Sequence, residues 1–476
     1  MRKDETKPSP PYVFSGRVRP QIAIIGSGLA GEALAARLSS FCEVTVFERG
    51  STRGLYSPHV VSSGRSLGLH STVNYGLGGT TALWRGCLLD MEADEFGALW
   101  PDIVKKELPR SYLEFVTHLA GERCGGLWSR RKEWDSSLGD ILERSLLVPA
   151  RSPRLAKSST WRSVSVRTNC VVDRVEEKGS GVVVVFRDGA NWQQQFFDLA
   201  IVCAGALNTP GILRRSGIFS PLVGSNLTDH PMGLVAKLEV GNPMRVNAQL
   251  ARPDGLRTII KIKDEATSLW ASFQLCPTHD TSFAEEHYLS NANGGGGRMF
   301  SALELYEKVK NQSYREMWKN RALGRKCVGR FAYVLATLEQ EPNEDDTVRN
   351  DSSGRLILSW TIAEAGVAAL TRSLQKLAAS FEAELHLPPD GISSRLWSGA
   401  HHASTCRISL NGDTGVVDSN LRVHQRQRVY ACDASVLPST GASHTGLAIG
   451  SLAMRLADHL QLCLSDKATV RVTEKA

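Results

Sequence analysis

Apolar positions fall along the chain in two alternating textures. The run Gln21–Ile25 is apolar, rich in isoleucine and closed by Gly26, which predicts a buried strand. From Leu29 to Leu38 the apolar residues recur at helical spacing, and a second apolar strand, Val44–Phe47, ends on the acidic Glu48. Residues 100–165 carry mixed helical patterns and are expected to form a helical insertion or cap. Val166–Phe186 reads as strands, including the buried run VVVVF, and DLAIVCAGALNTPGILRRSGI is a strand that meets a glycine turn and a helix. Between about 236 and 395 the pattern changes to alternating strands (LVAKLEVG, RTIIKIKD, LWASFQLC) interleaved with loops, one of them Gly294–Gly297. The last 80 or so residues return to strand plus helix, RVYACDASVLPS followed by GLAIGSLAMRLADHLQL. No internal repeat is present.

This alternation predicts an α/β protein. A Rossmann-like nucleotide-binding domain is expected from two separated stretches, 21–235 and 396–476, with a second α+β domain built on an antiparallel sheet from 236–395. The length of 476 residues suits two to three domains. Residues 1–20 hold charges but no apolar core, so they read as a disordered leader and not as a secretory signal. The default compartment is the cytoplasm. No run approaches the roughly 18 apolar residues of a membrane span. The net charge of +7 is scattered along the chain, which suits an anionic cofactor and argues against a nucleic-acid partner. Ten cysteines without a CxxC pair are expected to be free buried thiols.

The turn between the first strand and helix is Gly26-Ser27-Gly28-Leu29-Ala30-Gly31, a GxGxxG, and Glu48 follows Gly26 by 22 residues. Gly26 makes the tight turn, Gly28 admits a pyrophosphate to the backbone, and Gly31 lets helix and strand pack closely. The helix N-terminus adds free N–H groups and a partial positive charge. Glu48 is placed to accept from ribose hydroxyls, which disfavours a 2′-phosphate and so NADP. Further along, GLGGTTALWRGCLL gathers backbone N–H groups at a second glycine turn. Near the C-terminus His401 and His402 are adjacent in SGAHHASTCRI, and His444 stands in TGASHTGLAIG, both among small residues that leave room for a ligand. Neither HExxH nor GxSxG occurs, so no zinc protease or serine hydrolase is expected, and no metal site.

Five stretches, in order, resemble the glucose-methanol-choline (GMC) family of FAD-dependent oxidoreductases. They are IIGSGLAG with Glu48, GGTTALWRG, CAGALNTPGILRRSGI, VGSNLTDHP, and HHASTCRI with VVDSNLRVH and VYACDASVLPSTGASHTG. Residues 236–395 show no matching motif. The resemblance implies non-covalent FAD, since Leu83 stands where some sugar-oxidising members attach it through histidine. It makes Gly26, Gly28, Gly31 and Glu48 the ADP site, with Val172 the backbone contact to adenine. It places Gly78, Gly79, Thr80 and Trp84 against the flavin, Asp433 at the ribityl–pyrophosphate region and Ala434 near the isoalloxazine edge. The HxxGT pattern, counted back from Thr405, makes His401 the catalytic histidine in place of His402, and His444 the second catalytic residue. Ser404 replaces the pattern's glycine, Ile408 a common methionine, and Thr445 a frequent proline.

The implied chemistry is oxidation of a sugar, glycoside or polyol hydroxyl by hydride transfer to flavin N5. His401 takes the hydroxyl proton, His444 holds the oxygen, and Arg85 is a candidate to stabilise reduced flavin. Oxygen, a quinone or an electron-transfer partner would reoxidise the flavin. At 476 residues the chain is short for the family, so long oligomerisation arms are not expected. A non-redox flavoprotein of lyase or decarboxylase type and a catalytically silent FAD-binding scaffold remain alternatives at this stage.

Overall fold

The computed structural model describes residues 19–52, 55–56, 60–63, 73–83, 87–131, 143–149, 158–250, 257–277 and 330–473. Most of the expected leader, the Gly294–Gly297 loop, Trp84 and Arg85 lie outside the described residues. A five-stranded parallel sheet has the order Val429–Ala431, Leu199–Val202, Gln21–Ile25, Glu43–Phe47, Ser165–Arg167. Ile22, Ala23 and Ile24 are fully buried, as are Leu199, Ala200 and Ile201. Helices cover both faces of such a sheet, which is why Gln21–Ile25 and Leu199–Val202 are nearly continuous apolar runs. The helix Leu29–Leu38 packs beside the long final helix Thr445–Thr473, and the helix Tyr112–Ala120 lies against that final helix. There a Cβ at Gly450 would sit 2.0 Å from the Phe115 ring, so only glycine admits the contact.

The second sheet is antiparallel in its pairings. Its order is Ala383–His386, Pro231–Val240, Phe331–Leu338, Trp270–Pro277, Arg257–Lys263, Glu143–Pro149, Cys87–Leu88, with Trp397–Ser398 paired to Pro231–Met232. Two of these strands come from upstream of the 236–395 stretch, one of them from within the 100–165 segment. The helix Glu364–Ser380 covers one face through Leu370, Leu374 and Leu377, which join Ile260, Ile262, Phe273 and Val334 in one apolar core. Side chains alternate along a strand, so Lys261, between Ile260 and Ile262, leaves the opposite face, toward the first domain. Nine cysteines among the described residues are free thiols, and Cys327 lies outside them. Among the described residues no helix is long and apolar enough to cross a membrane.

Candidate active site

The nucleotide end is built at the C-terminal edge of the parallel sheet. Gly26 has φ +110°, and a Cβ there would meet the Cys203 carbonyl oxygen at 2.3 Å; a Cβ at Gly31 would meet the Gly26 carbonyl oxygen at 2.1 Å. Both glycines are therefore demanded by the protein itself. Gly28 differs, because nothing lies within 4 Å of the position its Cβ would take. It opens a helix whose N-terminus has no side-chain cap, so no side chain there satisfies the first backbone N–H groups. That combination fits a pyrophosphate.

Glu48 is buried beside this turn. Its carboxylate accepts from the Ser27 hydroxyl at 2.5 Å, the Ser27 N–H at 3.2 Å and the Gly50 N–H at 2.8 Å. Burial raises its pKa, and these hydrogen bonds oppose the rise. The Ser27 hydroxyl also accepts from the Gly78 N–H at 3.1 Å, and a Cβ on Gly79 would approach the Gly28 Cα at 3.0 Å, so the two glycine turns abut. Thr80 is exposed in that second turn. Val172 lies in the strand Cys170–Lys178, two residues beyond Cys170, whose N–H donates to the Glu48 carbonyl at 2.9 Å. Asp433 accepts from the Gly205 N–H at 2.9 Å, the Thr209 hydroxyl at 2.6 Å and the Ser435 N–H at 2.8 Å. It thereby ties the end of the last strand to the turn after Leu199–Val202. The neighbouring Ala434 carbonyl accepts from Ser404 N–H at 3.2 Å, which joins this end to the histidine segment. Burial raises the Asp433 pKa against those same donors.

The histidine segment folds against the stretch Val223–Pro231. Thr228 and Ala403 exchange backbone hydrogen bonds at 3.2 and 2.9 Å, and the Gly399 N–H donates to the His230 carbonyl at 2.8 Å. Ala400 and Ser404 adopt positive φ, +61° and +71°. The bends send the two adjacent histidines apart. His402 Nδ1 pairs with Asp229 Oδ2 at 2.8 Å. His401 instead packs edge-on against His444, with ring centroids 5.2 Å apart, and against His230 at 4.9 Å. Asp229 organises the segment: besides His402 it accepts from the His401 N–H at 2.8 Å, the His230 N–H at 2.7 Å and the Ser398 hydroxyl. Burial pushes its pKa up, but His402 beside it and these donors outweigh burial and hold it at about 2.

Burial pushes the imidazoles the other way. His401 is held well below its ordinary pKa by burial, with His230 and His444 adding to the effect, and His444 is lowered to about 3, chiefly by burial. His444 Nδ1 is buried and has no hydrogen-bond partner among the described residues. Its loop rests on a buried cation: Lys261 Nζ pairs with Glu95 and donates to the Ser443 hydroxyl at 2.8 Å and the Asp90 carbonyl at 2.9 Å. Glu95 in turn accepts from the Ala442 N–H at 3.0 Å.

The sequence brought His401 and His444 forward but not Asp229, His230, Glu95 or Lys261. The Asp-His pair within VGSNLTDHP was the available signal for the first two. Nothing local marks Glu95 or Lys261, which meet across 166 residues.

A parallel nucleotide-binding sheet with an open glycine turn, joined to an antiparallel sheet beside a buried imidazole cluster, is the plan of a two-domain flavoprotein oxidoreductase. The GMC oxidoreductase family models match residues 153–232 and 344–453. Over these two stretches the chain is similar to the GMC oxidoreductases, which are FAD-dependent flavoproteins. Two solved structures share the fold over nearly their whole length. Pyridoxine 4-oxidase from Mesorbium loti is 17% identical, with TM-score 0.58, over 92% of this chain and 99% of that one. A fungal aryl-alcohol oxidase is 14% identical, with TM-score 0.55, over 93% and 99%. No curated protein sequence matches significantly.

Proposed function

We propose that the protein oxidises a hydroxyl group of a sugar, glycoside or polyol to a carbonyl, with His401 as the base that takes the hydroxyl proton and His444 as the group that holds the oxygen. The observation that supports this most is the pair of neutral imidazoles, 5.2 Å between centroids, in a buried cluster. A neutral ring offers a lone pair, and a base must have one before it takes a proton. His444 stays uncharged at any working pH, so it acts by hydrogen bonding. Bound FAD supplies the two-electron acceptor for the carbon-bound hydrogen, and oxygen, a quinone or an electron-transfer partner regenerates it. The open Gly28 turn, Gly26, Gly31 and Glu48 would hold its ADP half non-covalently, with Val172 at the adenine. Gly78, Gly79, Thr80, Trp84, Asp433 and Ala434 would hold the remainder.

The test is anaerobic mixing of the yellow holoenzyme with sugars, glycosides and polyols, and with aryl alcohols and pyridoxine, the compounds that the two structural relatives are named for. Bleaching of the flavin by a sugar or polyol is expected. Bleaching by aryl alcohols or pyridoxine alone would move the substrate to an aromatic alcohol. A flavin that dithionite reduces but no alcohol does would overturn the reading.

A further inference from the structure

We infer that His230 is a positioning residue that fixes the tautomer of His401, keeping the proton on His401 Nδ1 and leaving Nε2 as the free lone pair. The inference rests on His401 being the base, and it adds which nitrogen acts and what sets that choice. His230 is fully buried, and its Nε2 lies 2.8 Å from the Gly441 carbonyl oxygen. A carbonyl only accepts, so His230 Nε2 carries the proton. Burial disfavours the charged ring and lowers its pKa, so His230 is neutral and its Nδ1 keeps a lone pair. That Nδ1 lies 2.8 Å from His401 Nδ1. Two nitrogens at this distance share one proton, and His230 has none left there to give. His401 therefore donates from Nδ1, and a neutral imidazole with its proton on Nδ1 has none on Nε2. Among the described residues nothing hydrogen-bonds His401 Nε2.

The chain of donors is anchored at its far end. Gly441 adopts φ +57°, and a Cβ there would meet Glu95 Oε1 at 2.9 Å, so the residue whose carbonyl orients His230 is packed against the buried Glu95–Lys261 pair. The charged and titratable groups that face the relay are Asp229 and Glu95 toward His230, Asp229, His402 and His444 toward His401, and Lys261 toward His444. A histidine that merely filled space would be satisfied by Gly441 alone. The second hydrogen bond, nitrogen to nitrogen, is what carries information to the base.

The experiment is nitrogen NMR of the ¹⁵N-histidine-labelled holoenzyme without substrate, with the His401 signals identified by their loss in His401→Gln. A pyrrole-type Nδ1 and a pyridine-type Nε2 are expected. In His230→Leu, which offers no acceptor, His401 should shift toward the other tautomer. Flavin reduction should then fall by about 10- to 10³-fold, with its pH profile displaced. His230→Gln presents an amide N–H to Gly441 and an oxygen to His401 Nδ1, and should restore both the tautomer and most of the rate. A protonated Nε2 in the wild-type protein would overturn the inference, and this result needs no variant to fold. So would an unchanged tautomer in His230→Leu. If no alcohol reduces the wild-type flavin, the functional reading fails on that ground alone, whereas the tautomer is read with no substrate present.

Discussion

Replacing His401 by alanine removes the ring that packs against both His230 and His444. Under the proposed chemistry flavin reduction should slow by about 10²–10⁴-fold with FAD retained. Replacing His402 by alanine removes one partner of the buried Asp229 carboxylate and leaves it the His401 N–H, the His230 N–H and the Ser398 hydroxyl. The expected cost there is that of one lost hydrogen bond to a buried charged group, about 1–3 kcal/mol of stability, with a far smaller change in the rate of the folded holoenzyme. Stopped-flow reduction and thermal unfolding of the two variants separate these outcomes, and a greater rate loss in His402→Ala would reverse the roles. His401 was legible because its distance from Thr405 is a local property of the chain. Ser404, at φ +71°, occupies the backbone state that the glycine of the HxxGT pattern adopts without strain, so the departure from that pattern leaves the geometry in place. His230 was not legible in this way, because the carbonyl it reads is 211 residues distant.

The contact between the final helix and Tyr112–Ala120 tests how closely elements must pack. Gly450→Ala gains roughly 1 kcal/mol of helix propensity, yet its methyl group would lie inside the Phe115 ring, and overpacking of a buried site costs about 1–3 kcal/mol or more. The variant should unfold at lower denaturant concentration than the wild type, and Phe115→Leu in the same chain should recover part of the loss. Equal midpoints for Gly450→Ala and wild type would show that the helices separate freely. The strands Gln21–Ile25, Leu199–Val202 and Val429–Ala431 were readable because burial on both faces writes them as apolar runs. Glu143–Pro149 was not readable as part of the second sheet. It holds one short apolar stretch, and its partner Arg257–Lys263 is over a hundred residues further on. Pairing of that kind is decided by tertiary contact and leaves no period in the sequence.

For the molecule as a whole, neutral histidines that are buried or half-buried set the response to acid. His230, His401, His444 and His459 have folded pKa values below their ordinary value, chiefly through burial, whereas in the unfolded chain each titrates near 6.5. The unfolded state thus binds more protons as pH falls below about 6.5, and stability is lost by up to about 1.4 kcal/mol per pH unit for each such ring, for His444 down to about pH 3. Asp229 adds its own loss only lower, between its unfolded value near 4 and about 2. Tm measured from about pH 8 to about pH 5 should fall on the acid side, and His444→Asn should flatten the slope. A Tm independent of pH over this range, or a slope that His444→Asn leaves unchanged, would show that these rings are not neutral in the fold. The pair Lys261–Glu95 has a consequence for how such proteins can recombine. Lys261 belongs to the 236–395 stretch and Glu95 to the chain before it, so a crossover at the apparent domain edge transfers the cation and leaves the anion behind. A chimaera of that kind inherits an uncompensated charge in its interior, worth about 3–5 kcal/mol, which makes the two segments heritable together although the chain order separates them.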